Sequence, residues 1–262
     1  MITSTHNPKL KLIRALLGRS KERREAGAFV VEGVRLIEEA VISNWGFRFA
    51  LYDEVLSERG RLQVEGLRSR GIECEEVTTS LMKSLSETET PQGILAVLEL
   101  TQLPLTNYHD FLLIPDQIRD PGNLGTLLRT AAATGVQAVL LPPETTDAFA
   151  PKVVRSGMGA HFRLPIHSMS WDEIHHFIAG SASHSPIQVF LADMDGQPCW
   201  ETDLRQPVTL IIGSEADGAS ESARSLANAK ISIPMSGNTE SLNAGVAGSV
   251  LMFEVVRQRS NI

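Results

Sequence analysis

The sequence predicts an α/β protein of two domains, and three observations carry that expectation. Short apolar runs alternate with stretches of helical spacing along most of the chain. The pattern breaks at residues 101–106, an uncharged, aperiodic stretch containing Pro104. Beyond the break the strand candidates are apolar throughout, as strands of a mainly parallel sheet covered on both faces are. The 262 residues suit one large or two small domains, and a hydrophobic content of 42% supplies a core.

The elements follow in order. Asn7 and Pro8 start a basic helix carrying Leu10, Ile13, Leu16 and Leu17 at helical spacing. Residues 28–31 read as a short buried strand, and Val34, Leu36, Ile37, Ala40 and Val41 as a helix. Residues 47–51, 73–77 and 94–98 are further strands with helical patterns between them. This places a first domain at 1–100, a linker at 101–108 and a second domain at 109–262. The second domain opens with a strand at 111–116, a loop at 117–122 and a helix from about 123 to 134. Strands at 136–141, 190–192 and 208–212 follow, with helices at 219–227 and 241–259.

Composition excludes several classes. No stretch approaches the ~20 apolar residues of a membrane span, and residues 1–12 lack the apolar centre of a signal peptide, so a soluble cytoplasmic protein with no membrane partner is expected. Cys74 and Cys199 lie far apart and read as buried thiols. The seven histidines show no ligand spacing, and adjacent His175 and His176 face different sides of a helix, so no metal is expected. The net charge of −7 argues against indiscriminate nucleic-acid binding. Its distribution is uneven. Residues 1–24 hold seven basic residues against Glu22, a local +6 that leaves −13 on the remainder. A solvated helix face and a phosphate-binding patch fit that segment equally well.

Three segments combine polar groups with strand or helix boundaries. In the first, Asp120-Pro121-Gly122-Asn123-Leu124-Gly125 joins a strand to a helix that also carries Arg129. Loops at this position are where α/β folds place ligands, and Asn123 is expected to cap the helix while offering its amide to a polar substrate. In the second, the strand at 210–212 ends in Gly213-Ser214-Glu215, with Gly218 before a helix; Gly213 would let a ligand approach the backbone. In the third, Ile233-Pro234-Met235 ends a short strand, and a polar loop leads to a helix beginning Ser241-Leu242-Asn243. Taken singly, each reads as well as an ordinary capped turn.

Together and in this order, over roughly residues 110–258, the three segments resemble the SpoU (TrmH-type) family of RNA ribose methyltransferases within the SPOUT class. The pattern is Asn123-x-Gly125-x-x-x-Arg129-x-Ala131, then Ile211-Ile212-Gly213-Ser214-Glu215 with Gly218, then Ile233-Pro234-Met235 with Ser241-Leu242-Asn243-x-x-Val246-Ala247. Gly245 departs from the serine many members carry. The resemblance implies a trefoil-knotted sheet domain, S-adenosylmethionine as methyl donor, an RNA ribose 2′-hydroxyl as acceptor, and a homodimer. It places the cofactor on Gly213, Ile233 and Leu242, with backbone near Met235 and Ala192. It assigns catalysis to Asn123, Arg129, Glu215, Ser241 and Asn243. A guanidinium stays cationic at neutral pH, so Arg129 suits charge stabilisation better than proton removal. Glu215 is expected to position Asn123 or Arg129.

Ser4-x-x-Asn7-Pro8-Lys9 and Phe29-Val30-Val31-Glu32-Gly33 resemble the ribosomal-protein-like RNA-binding domain found in such enzymes. That likeness assigns RNA contact to Lys9, Lys11, Arg14 and Arg35 and favours 23S rRNA. The competing readings are a tRNA 2′-O-ribose methyltransferase and a non-catalytic RNA-binding ribosome assembly factor.

Overall fold

The computed structural model describes residues 1–88, 90–106, 108–181, 186–215, 218–237 and 241–260. Asn107 of the expected linker, Ala216 and Asp217 of the second motif, and Asn238, Thr239 and Glu240 of the third lie outside the described residues. The chain divides into two compact units, Met1–Thr101 with Phe149–Arg155, and Gln102–Ala148 with Ser156–Ile262.

In the first unit, Asn7 accepts the Lys9 amide proton at 2.8 Å and Pro8 occupies the first turn, which starts α1 (Pro8–Leu17) where the sequence predicts it. Then come α2 (Ser20–Ala26), β1 (Ala28–Glu32), α3 (Val34–Ile42), β2 (Phe47–Tyr52), α4 (Glu58–Ser69), β3 (Glu73–Glu76), α5 (Thr79–Leu85) and β4 (Ile94–Glu99). The strands form one sheet in the order β1-β4-β2-β3, antiparallel except for the β2–β3 pair. Leu10, Ile13 and Leu16 of α1 pack on Val30, Leu51 and Val97 of the sheet. Each such buried aliphatic side chain contributes ~1.5–3 kcal/mol.

The chain continues with β5 (Phe111–Pro115), α6 (Pro121–Thr134), β6 (Ala138–Leu141), α7 (Pro151–Gly157), β7 (Ile166–Ser168), α8 (Trp171–Ser181), β8 (Gln188–Pro198), β9 (Val208–Ile212), α9 (Glu221–Leu226), β10 (Ala229–Ser232) and α10 (Ala244–Arg259), which apart from α7 make up the second unit. Most residues of α7 belong to the first unit. The six strands run in the order β10-β8-β9-β5-β6-β7, and every pairing is parallel. All residues of β5, β6 and β9 are buried, which explains their unbroken apolar sequences. From β5 the chain builds outward through β6 and β7, then returns to the other side as β8 and β9. The β5–β9 pair is therefore the topological switch point, and a crevice opens beyond the carboxyl ends of such strands.

Several helix boundaries differ from the sequence expectation. Asp120 caps α6 by accepting the Asn123 amide proton at 2.9 Å, so the helix starts at Pro121 and Asn123 is not its cap. α9 is shorter than expected because Ser220 caps it. α10 begins at Ala244, with Asn243 as its cap and Ser241 and Leu242 in the preceding loop. β10 ends at Ser232, so Ile233, Pro234 and Met235 lie beyond the strand. At the three helix starts a short polar side chain outcompetes the apolar periodicity in fixing the first turn.

β8 is longer than the predicted 190–192 and is interrupted. It pairs with β10 at Phe190 and Leu191, then the register jumps so that Ile231 faces Gln197. Residues 192–196 leave the ladder as an excursion. Gly196 permits it, because a Cβ there would lie 2.5 Å from the Ile231 nitrogen. Among the described residues no helix is long and apolar enough to cross a membrane, and no cluster of His, Cys, Asp or Glu could hold a metal ion.

Candidate active site

A pocket of about 530 Å³ lies beside this switch point, at the carboxyl ends of β9 and β10 and against the middle of β8. The β8 excursion lines it with Ala192, Asp193 and Met194, and β9 with Ile212 and the Gly213–Glu215 turn. Residues 231–235 and the approach to α10, Ser241 and Leu242, complete the wall. All five residues expected to hold a cofactor, Ala192, Gly213, Ile233, Met235 and Leu242, line this one pocket.

Gly213 also has a part in the fold beside its place in the pocket wall. The space a side chain would occupy is filled by the protein itself, with the Gly218 carbonyl carbon 2.8 Å from a Cβ placed there. Ser214 and Gly218 exchange backbone hydrogen bonds at 2.9 and 3.1 Å, closing a tight hairpin that presents Glu215 at the pocket. Gly213 thus lets the chain fold back on itself.

Glu215 is the hub of a polar cluster built from three distant segments. Its Oε1 accepts from Asn123 Nδ2 at 2.8 Å, from Asn243 Nδ2 at 2.6 Å and from the Ala244 amide at 2.8 Å. Asn243 Nδ2 also donates to Asn123 Oδ1 at 2.9 Å, while Asn243 Oδ1 accepts the Val246 amide proton at 3.2 Å. Both protons and the oxygen of the Asn243 amide are therefore engaged within the protein. Asn123 keeps one amide proton, and Glu215 keeps Oε2, without a hydrogen bond among the described residues. These are the groups left to meet a substrate, with the exposed Ser241 beside them.

Arg129 does not join the cluster. It lies six residues along α6 from Asn123, roughly 120° around the helix axis, is exposed, and is not part of the pocket wall. Glu215 organises Asn123 and Asn243, not Arg129.

The pocket wall contains two charged residues that the motifs did not mark. Asp193 takes an ion pair from Lys230 at 2.8 Å and a longer one from Arg224 at 3.9 Å. The Lys230 hydrogen bond holds the Asp193 carboxyl below its ordinary range. Arg224 itself lines the pocket. Nothing in local sequence marks Asp193, because its position depends on a register jump between β8 and β10.

In the first unit, Lys9 pairs with Glu73 at 2.7 Å and with Glu75, and its ammonium lies 5.2 Å from the Phe49 ring centroid. Arg23, part of the same basic segment, is buried and donates to the Leu16 carbonyl at 2.6 Å. Lys11, Arg14 and Arg35 are exposed, and Arg14 donates to the Thr5 carbonyl at 2.8 Å.

A parallel α/β sheet with a small-molecule pocket at its strand ends and a carboxylate–amide cluster at its switch point is the arrangement of an α/β enzyme. The chain belongs to the SpoU rRNA Methylase family, whose profile matches residues 110–253. A second profile, the MRM3-like substrate binding domain, matches residues 7–96. The chain is 35% identical to the 23S rRNA (uridine(2479)-2'-O)-methyltransferase of Streptomyces viridochromogenes, over 98% of this chain and 92% of that protein. It is 32% identical to the 23S rRNA (guanosine(2553)-2'-O)-methyltransferase RlmP of Bacillus subtilis, over 97% and 98% of the two chains. Among solved structures, the SpoU methyltransferase AviRb of S. viridochromogenes in complex with AdoMet matches with a TM-score of 0.84 at 33% identity, over 97% of this chain and 99% of that one.

Proposed function

We propose that this chain transfers a methyl group from S-adenosylmethionine to a ribose 2′-hydroxyl of 23S rRNA. The observation that carries the reading is the Asn123–Glu215–Asn243 cluster at the mouth of a pocket of about 530 Å³. A volume of this order suits a nucleoside-sized ligand. Ile212, Ile233, Leu242 and Leu251 offer apolar faces for an adenine ring, and the strand-end backbone offers hydrogen bonds. When bound, the donor supplies a methyl group already activated by a sulfonium charge. The protein's task is then to position the hydroxyl and to bear the charge it develops, and positioning can supply up to ~7–11 kcal/mol. The free proton of Asn123 and the free Oε2 of Glu215 are suited to grip the ribose. Asn243 is assigned to hold those two groups in place, and Ser241 to line the ribose side. Arg129 is assigned to the adjacent phosphate and to the developing negative charge.

Arg129 reaches a pocket in this reading because the protein is a homodimer. Val246, Val250 and Phe253 of α10 follow i, i+4, i+7 spacing and are 47%, 37% and 54% exposed, an apolar stripe that a second copy would cover. Thr130 and Ser249 join α6 to α10 at 2.9 Å, so Arg129 stands next to the helix pair that carries the stripe. The final segment passes Glu215 before α10 packs on α6 and β9, and we assign this passage to the trefoil knot. Residues 1–100 are assigned as the RNA-binding domain, with Lys11, Arg14 and Arg35 on its contact surface; Lys9 would contribute there only beyond its pairing with Glu73 and Glu75. Residues 101–108 are the linker and 109–262 the methyltransferase domain. A cytoplasmic location accompanies the ribosomal substrate.

The test is a map of 2′-O-methyl sites in rRNA and tRNA from cells with and without this protein. Loss of one 23S rRNA site, restored by the purified chain and S-adenosylmethionine, is expected. Loss of a tRNA site instead would move the substrate to tRNA. No lost site would leave an RNA-binding assembly factor.

A further inference from the structure

We propose that Asp116, a residue outside the three motifs, is a positioning residue that clamps both ends of the segment carrying Glu215. The proposal rests on the function assigned to Glu215 above. Asp116 follows β5 directly and is 0% exposed. Its backbone amide donates to the Ile212 carbonyl at 2.8 Å, just before the Gly213 turn. Its side-chain Oδ2 accepts the Ser220 amide proton at 2.6 Å, just after Gly218 and Ala219. One residue therefore ties down the chain on either side of the Ser214–Gly218 hairpin, from the opposite strand of the switch point.

The end of β5 is rigid enough to serve as an anchor. Gln117 holds a left-handed conformation at φ 53°, which an L side chain adopts only when its surroundings enforce it. Its amide donates to Thr145 Oγ1 at 3.1 Å, and that hydroxyl donates to the Pro115 carbonyl at 2.8 Å. The clamp thus transmits a fixed position from β5 to the loop after β9.

The choice of a carboxylate is informative. Oδ1 of Asp116 is buried and has no hydrogen-bond partner. Burial pushes the group above the ordinary carboxylate range, opposed by its hydrogen bonds from Ser220, with Glu144 raising it further and Arg224 lowering it. A raised folded-state value means that ionisation works against the fold. Stability falls as pH rises through the window between the ordinary value and the raised one, and the deficit persists at neutral pH. An asparagine would accept the same amide proton without that cost. A carboxylate is the stronger acceptor of an amide proton than a side-chain amide oxygen, and a residue kept for position at the expense of stability follows the usual trade-off at active sites.

The experiment compares wild type, Asp116→Asn and Asp116→Ala in the full-length protein. It reads hydrogen exchange at the Gly218 and Ser220 amides, S-adenosylhomocysteine affinity, kcat on the RNA substrate, and Tm at pH 7. In Asp116→Ala, exchange at both amides should quicken at least tenfold and S-adenosylhomocysteine affinity should fall about tenfold. In Asp116→Asn, kcat should drop about fivefold while Tm equals or exceeds wild type. Unchanged exchange in the alanine variant overturns the clamp. A Tm loss in the asparagine variant that parallels its kcat loss, or a wild-type kcat in that variant, overturns the positioning role. Failure of the wild type to bind S-adenosylhomocysteine would instead remove the proposed function, and the exchange data would still judge the clamp.

Discussion

Asn243 Nδ2 lies 2.6 Å from Glu215 Oε1 and 2.9 Å from Asn123 Oδ1, so one amide nitrogen joins the first turn of α6 and the turn after β9 to the start of α10. Glu215→Ala removes the acceptor of all three hydrogen bonds. Methylation should fall at least a hundredfold, and S-adenosylhomocysteine affinity should weaken as well, because Ala244 at the pocket wall loses its anchor. Losing one hydrogen bond to a charged group costs ~1.5–3 kcal/mol. Steady-state kinetics with calorimetry checks this, and near-wild-type turnover would remove Glu215 from the site.

Arg129→Ala should abolish methylation with cofactor affinity and Tm unchanged, because Arg129 is exposed and lies outside the pocket wall. If it serves the partner's pocket, mixing Arg129→Ala with Glu215→Ala protomers should restore part of the activity. Complementation is read by assaying the mixture after subunit exchange. A mixture as inactive as its components would return Arg129 to its own subunit's site.

Phe253→Asp should leave the chain a monomer where the proposed dimer would form, by placing a charge in the apolar stripe of α10, where Phe253 is 54% exposed. Sedimentation velocity measures the outcome. A variant that sediments like wild type would move the interface elsewhere.

Reversing Lys11 and Arg14 to glutamate should weaken RNA binding and flatten its salt dependence, at about one unit of slope per lost phosphate contact. Reversing Lys9 should chiefly lower Tm, because it places like charges beside Glu73 and Glu75. Filter-binding titrations at several salt concentrations separate the two. Equal affinity for the Lys11 and Arg14 variant at low salt would clear that face of RNA.

Burial pushes the His161 imidazole down to about 4 from 6.5, although its Nε2 is bonded to the Ala148 carbonyl at 2.7 Å. The folded state keeps His161 neutral while the unfolded chain takes up a proton. Stability from this group is complete above pH 6.5 and is lost as pH falls toward 4, in all about 3 kcal/mol. Urea unfolding between pH 7 and pH 4 should show this slope, and His161→Gln should flatten it. An identical slope in the variant would mean other groups carry the acid sensitivity.

Much of this architecture can be read along the chain. Apolar runs locate β5, β6 and β9, because strands buried on both faces admit nothing else, and Asn7-Pro8 marks the start of α1 through local chemistry. The motifs point to Asn123, Glu215 and Asn243 before any coordinates exist. Their roles were less legible. Asn123 resembles a cap until Asp120 is seen to hold its amide, which leaves the Asn123 side chain to reach Glu215, 92 residues away. That Gly213 also makes room for Gly218 shows only once the chain has folded back beside it. Asp193 enters the pocket through a register jump, and Asp116 becomes a clamp only when β9 pairs beside β5. Local periodicity and capping depend on neighbours three or four residues apart, so a single sequence displays them. Hydrogen bonds between segments about a hundred residues apart depend on strand order and register, which the packed sheet alone establishes.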